Sequence, residues 1–106
     1  MEQYVVAARL KPGKAAEAER ELAAGPPFDP AATRLSSHSA YLSERYVYLL
    51  FEGEAARGTA LRLAHEHLAE VGRWQSLVME LPSSVDAVPP DARCVYRWQA
   101  GDSAQS

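Results

Sequence analysis

The stretch RYVYLLFEGE, residues 45–54, decides the fold. Successive side chains of a strand point to opposite faces, so Val47, Leu49 and Phe51 share one side and Tyr46, Tyr48 and Leu50 the other. Both sides are apolar, which predicts a strand covered on each face. LSSHSAYL, residues 35–42, precedes it across Ser43, Glu44 and Arg45, a gap short enough for a hairpin. A two-residue turn, at Ser43-Glu44 or at Glu44-Arg45, puts His38, Ala40 and Leu42 on the face of Val47, Leu49 and Phe51. The opposite face then carries Ser37, Ser39, Tyr41, Tyr46, Tyr48, Leu50 and Glu52. A three-residue loop would mix the two sets.

Outward from this hairpin, QYVVAARL, residues 3–10, is valine-rich and free of glycine and proline, as a strand is. Lys11, Pro12 and Gly13 end it. KAAEAERELAAG predicts a helix of about three turns with Gly25 as its C-cap, and Pro26 and Pro27 forbid its continuation. PPFDPAATR reads as a rigid loop with Phe28 tucked back onto the core. On the C-terminal side, Leu61, Ala64, His65 and Leu68 form a helical stripe, continued by Trp74, Leu77, Val78 and Leu81 after a break at Gly72. PSSVDAVPPD is a proline-rich connection, and ARCVYRWQ, residues 92–99, is the last strand.

The order strand, helix, strand, strand, helix, strand predicts an α+β fold of ferredoxin-like βαββαβ type: a four-stranded antiparallel sheet with two helices on one face. Residues 1–99 form one domain, and 100–106 form a flexible tail. Seven of the nine aromatic residues fall in predicted strands. Two helices cover one face of the sheet only, so a second copy of the chain is expected on the other, as a two-fold homodimer.

With 106 residues, 47% of them apolar and 24% charged, the chain is a single globular domain. Its net charge of −3 offers no basic patch for phosphates, which argues against nucleic acid and membrane surfaces as partners. No stretch approaches the roughly 20 apolar residues of a spanning helix. The first residues carry an acidic group where a signal peptide carries positive charge, so a cytoplasmic location is expected. The single cysteine, Cys94, excludes an internal disulfide and is expected to pack within its strand. No Gly-rich phosphate loop, GxSxG or dinucleotide fingerprint occurs, and neither cofactor nor metal is expected.

With this element order, a two-sided third strand ending in LLFEGE and a last strand ending in VYRW, the chain resembles the dimeric α/β-barrel superfamily over residues 3–99. That superfamily includes antibiotic-biosynthesis monooxygenase-like proteins, aromatic polyketide cyclases and stress-responsive barrel proteins. Tyr96 and Trp98 look like the closing strand of the cyclase branch. The resemblance implies a pocket between the sheet and the helices or loops of each protomer. Such a pocket would hold a flat, aromatic or polyketide-like molecule, often without metal or organic cofactor. Haem-degrading members use an Asn, Trp and His set; this chain contains no asparagine, so that activity is not carried over.

Among the residues able to carry chemistry, His38 stands first. It lies among Ser36, Ser37, Ser39 and Ala40, which leave room for a ligand, and imidazole is suited to proton transfer near neutral pH. The competing reading is a structural histidine bonded to backbone. His65 and His67 are two residues apart and point away from one another on a helix, where a metal pair needs a spacing of three or four. His65, on the stripe, is a candidate to line a pocket, while His67 is expected to face water. Tyr41, Tyr46 and Tyr48 combine an apolar ring with a hydroxyl suited to an aromatic substrate, or serve as dimer contacts. Arg9 and Arg97, expected in neighbouring strands, are candidates to pair with Glu52 or hold a developing anion. Trp74 is a candidate roof for a pocket. The substrate-binding set is thus Tyr41, Tyr48, His65, Trp74 and Arg97, with His38 as the catalytic group. The expected function is binding of a hydrophobic or aromatic metabolite, with cofactor-free cyclisation or oxygenation. The alternative is a non-enzymatic ligand-binding or assembly module.

Overall fold

The structure, a computed structural model, describes residues 2–80 and 82–100; Met1, Leu81 and the tail residues 101–106 lie outside it. The elements are β1 (Glu2–Arg9), α1 (Ala15–Ala23), a 3-10 turn (Pro30–Ala32), β2 (Leu35–Leu42), β3 (Tyr46–Gly53), α2 (Ala56–Glu66), α3 (Leu68–Gln75), β4 (Ser83–Val85) and β5 (Arg93–Gln99). The fold is α+β, and all strands pair antiparallel in the order β4-β1-β3-β2-β5.

The expectation of four strands is corrected to five. Ser83–Val85, read as part of a connection, pairs with Val5, Val6 and Ala7 at one edge. The strand of VYRW pairs with β2 at the other edge. Arg9 in β1 and Arg97 in β5 are therefore not neighbours.

The β2–β3 hairpin turns through Glu44-Arg45. The Ser43 amide donates to the Tyr46 carbonyl at 2.9 Å, and the Tyr46 amide to Ser43 Oγ at 3.1 Å. Leu42 then opposes Val47, Ala40 opposes Leu49 and His38 lies across from Phe51. This register fixes which side chains share a face, as the alternation requires. At the far end of the hairpin, Gly53 adopts φ +150°, and a Cβ there would lie 2.9 Å from both the Arg34 carbonyl oxygen and the Ser36 amide nitrogen. Only glycine fits where β3 passes so close to the start of β2.

All three helices pack on the His38–Ala40–Leu42 face. α1 buries Ala18 and Leu22, four residues apart, and ends where Gly25, at φ +96°, donates to the Leu22 carbonyl. α2 buries Ala56, Thr59, Ala60 and Leu63 at helical spacing. Its first turn is capped from outside, because the Glu2 carboxylate accepts the Arg57 amide at 2.6 Å, favourable beside the positive end of the helix dipole. Here the expected stripe is corrected: Leu61 and Leu68 are more than half exposed, and His65 is exposed with them. The interruption falls at His67, between α2 and α3, and Gly72 sits inside α3.

The apolar core divides into two clusters, one around Leu10, Leu22, Leu42, Val47 and Leu77, the other around Leu35, Phe51, Ala56 and Leu63. Leu49 packs against both. Four of the strand aromatics, Tyr4, Phe51, Tyr96 and Trp98, belong to this helix-covered side. Tyr41, Tyr46 and Tyr48 occupy the other. Cys94, expected inside, is exposed, its thiol donating to the Tyr96 carbonyl. A bulge explains its position: Ala40 pairs with Tyr96 but Tyr41 with Cys94, so both Val95 and Tyr96 turn toward the helices. Ala100, expected in the loose tail, donates its amide to the Ser36 carbonyl at 2.8 Å. Among the described residues no helix is long and apolar enough to cross a membrane.

Candidate functional site

Where the two core clusters meet, small residues face one another across the layers. Ala40 in β2 and Ala8 in β1 lie on the sheet; Ala18 in α1 and Ala60 in α2 lie above it. Alanine side chains on both layers leave part of the gap between sheet and helices unfilled, and a cavity of about 160 Å³ remains. The loop Gly25–Pro26–Pro27–Phe28 closes one side, and Val71 and Trp74 of α3 close another. The wall is almost wholly apolar, and among the described residues no Lys, Arg, Asp or Glu side chain lines it.

His38 projects into this wall from β2 and is 3% exposed. Its ring stacks on Phe51 with centroids 4.5 Å apart and also meets Phe28 at 5.5 Å and Tyr96 at 5.9 Å. Nδ1 lies 3.0 Å from the Leu50 carbonyl oxygen. A carbonyl only accepts, so Nδ1 carries the proton and Nε2 holds a lone pair in the neutral ring. Burial lowers the His38 pKa from 6.5 to about 4, with the Leu50 hydrogen bond opposing weakly. The imidazole is therefore neutral at physiological pH. Nε2 has no hydrogen-bond partner among the described residues, yet no fully buried side-chain nitrogen or oxygen there lacks one. The open space that the His38 ring borders is the cavity.

Of the residues singled out by sequence, the structure brings His38 and Trp74 together at the cavity. Tyr41, Tyr48 and Arg97 lie on the opposite face of the sheet, where Arg97 Nη2 donates to the Tyr41 hydroxyl at 3.4 Å. His65 faces solvent on α2. His67, expected in water, is half-buried with its ring 6.3 Å from Phe28. On the uncovered face, Glu52 accepts from Gln3 Nε2 at 2.8 Å and Ser37 Oγ at 2.7 Å. Those two hydrogen bonds, Gln3 first, hold its carboxyl below the usual value. Arg97, one of the two arginines expected to pair with Glu52, acts on it through its charge and lowers the carboxyl pKa further, while the hydrogen bonds come from these neutral donors.

Phe28, Phe51, Tyr96 and the alanines were not singled out as site residues. Tyr96 presents its ring to the cavity; burial, and then the charge of Asp29, raises its phenol pKa, so it remains protonated. The signal for the alanines was present as a run of small side chains on helix faces, but smallness alone does not say which ones face each other. Among the described residues no group of three or more His, Cys, Asp or Glu side chains is placed to hold a metal ion. Chemically, the arrangement offers apolar contact over most of a ligand's surface, with the neutral His38 imidazole and the polar ends of Gln75 and Tyr96 at its wall. Compared with protein-family models, curated proteins and solved structures, the chain matches none.

Proposed function

We propose that the protein binds a hydrophobic or aromatic small molecule in the cavity between sheet and helices, with Nε2 of His38 accepting its hydrogen bond. The observation that carries this reading is a buried imidazole on the wall of a largely apolar cavity, whose other polar side chains among the described residues are Gln75 and Tyr96. Ligand sites are concave, mostly apolar and furnished with a few placed polar groups, and this cavity has that character. Thermal unfolding against a panel of aromatic and alicyclic alcohols and phenols tests it. At least one compound raises the transition temperature of the native chain and loses its effect in Ala60→Leu, whose added carbons occupy the cavity. A panel without effect, or effects that persist in that variant, would overturn the reading.

Cofactor-free acid–base catalysis, of cyclase or monooxygenase type, is a second reading, favoured by the same neutral lone pair, which accepts a proton without first losing one. A conjugate acid with a pKa of about 4 is a weak base, which is why binding stands first. Turnover abolished in His38→Ala with binding retained would establish the catalytic role; unchanged turnover would remove it.

The order β1, α1, β2, β3, α2–α3, β4, with β4 beside β1, supports a ferredoxin-like core to which β5 adds an edge strand. Tyr46 and Val85, exposed on the face away from the helices, and the half-buried Tyr41 and Leu50 beside them support a homodimer of the dimeric α/β-barrel kind, in which a second sheet lies against the first. Sedimentation equilibrium at micromolar concentration reads twice the chain mass if so, and the single mass contradicts it. An exposed, unpaired thiol at Cys94 suits a reducing, cytoplasmic compartment.

A further inference from the structure

We infer that the ligand is an uncharged molecule with a single six-membered ring, carrying one hydroxyl or N–H donor, such as a simple phenol. The inference rests on the ligand-binding reading of the cavity and narrows it.

Size comes from the volume. About 160 Å³ is close to the apolar cavity of ~150 Å³ that accepts benzene in another protein. One ring and one or two substituent atoms fill such a space, whereas a fused three-ring system would leave its outer rings in the open mouth of the pocket. The walls that would have to give way are not loose side chains. Pro26 and Pro27 have fixed φ, Ala40 belongs to a strand paired on both sides, and Phe51 is held by its stack on His38.

Charge comes from the lining. With no cationic side chain among the described residues of the cavity wall, a carboxylate or phosphate would enter apolar surroundings unpaired, at a cost that keeps it in water. His38 does not relieve this near neutral pH, because burial keeps it uncharged. An ammonium group is excluded on the same ground, since among the described residues no carboxylate lines the cavity either.

The donor comes from the tautomer. The Leu50 carbonyl fixes the proton on Nδ1, so Nε2 can only accept. The ligand must therefore bring the hydrogen. Flat rings on three sides of the imidazole, those of Phe28, Phe51 and Tyr96, favour an aromatic ring beside them over a branched aliphatic one.

Titration calorimetry of the native chain at pH 7 with p-cresol, toluene, p-toluate and 9-phenanthrol tests each element separately. We expect p-cresol to bind once per chain, about five- to tenfold more tightly than toluene, the worth of one neutral hydrogen bond. No heat is expected from p-toluate or 9-phenanthrol. In His38→Phe the preference for p-cresol over toluene should vanish. If that variant does not fold, the four ligands on the native chain decide the matter alone. 9-Phenanthrol binding as tightly as p-cresol would overturn the single-ring inference and leave the cavity reading standing. Toluene equal to p-cresol would overturn the donor requirement, and p-toluate equal to p-cresol the neutrality. Binding by none of the four at millimolar concentration would overturn this inference; it reaches the broader reading only if the thermal panel is silent as well.

Discussion

Acidification should destabilise the protein through His38 before its carboxylates titrate. In the unfolded chain the imidazole protonates near 6.5, and in the folded chain only near 4. Below pH 6.5 the unfolded state therefore binds a proton that the native state does not. Stability is fully present above 6.5, falls as pH descends toward 4, and is unaffected by this group below that point. The complete change is worth about 3 kcal/mol, and the part between pH 7 and pH 5 about 2 kcal/mol. With a urea m-value of about 1.5 kcal/mol/M, the midpoint drops by roughly 1.2 M over that interval. His38→Gln keeps a donor for the Leu50 carbonyl but cannot titrate, so its midpoint should move less by about that amount. His65 and His67 are present in both proteins and cancel in the comparison. Glu52, whose pKa is lowered by Gln3 and Ser37, adds its own loss only below its ordinary 4.5, outside the window. Urea unfolding of both proteins at pH 7 and pH 5, followed by tryptophan fluorescence, reads the difference. Equal midpoint shifts in the two would refute a neutral, desolvated His38.

Three further outcomes follow from particular contacts. Gly53→Ala places a Cβ against the backbone at Arg34 and Ser36 at positive φ, and should cost at least about 2 kcal/mol in urea unfolding; a neutral effect would show that β2 and β3 do not approach so closely there. Ala60→Leu should cost less than about 1 kcal/mol because the cavity receives the added carbons, where a solid core would lose roughly 1–3 kcal/mol. Phe28→Ala uncovers one side of the His38 ring, so its pKa should rise from about 4 toward 6.5 in an NMR titration; an unmoved value would mean that the loop does not shield it.

The hairpin was legible because period-two alternation leaves one solution once the turn is a two-residue one. Glu44-Arg45 supplies that turn, and His38, Ala40 and Leu42 then share the face of Val47, Leu49 and Phe51 without reference to anything distant. The same alternation separates His38 from Tyr41 and Tyr48, so one site could not contain all three. The α2 face was not legible. Ala56, Thr59 and Ala60 approach the sheet closely because they are small, and small residues carry little hydropathy, whereas the exposed Leu61 and Leu68 carry much. The edge pairings were hidden for another reason. Three residues, Ser83–Val85, give no periodic signal, and whether VYRW joins β1 or β2 depends on contacts far apart in sequence. His38 was visible as a lone imidazole in a small-residue strand, and Trp74 as an isolated large side chain. The closing of the cavity by Phe28 depends on where a proline loop docks, which is a property of the packed layers.

The central claim is that His38 is a neutral imidazole with its proton on Nδ1 and its Nε2 open to the cavity. Two-dimensional NMR of 15N-histidine-labelled protein at pH 6, recorded without and with p-cresol, tests it most directly. The account predicts a His38 ring already in the neutral Nδ1–H form, with the Nε2 resonance moving on addition of p-cresol and Nδ1 nearly fixed. A His38 ring protonated on both nitrogens at pH 6, or carrying its proton on Nε2, would contradict it.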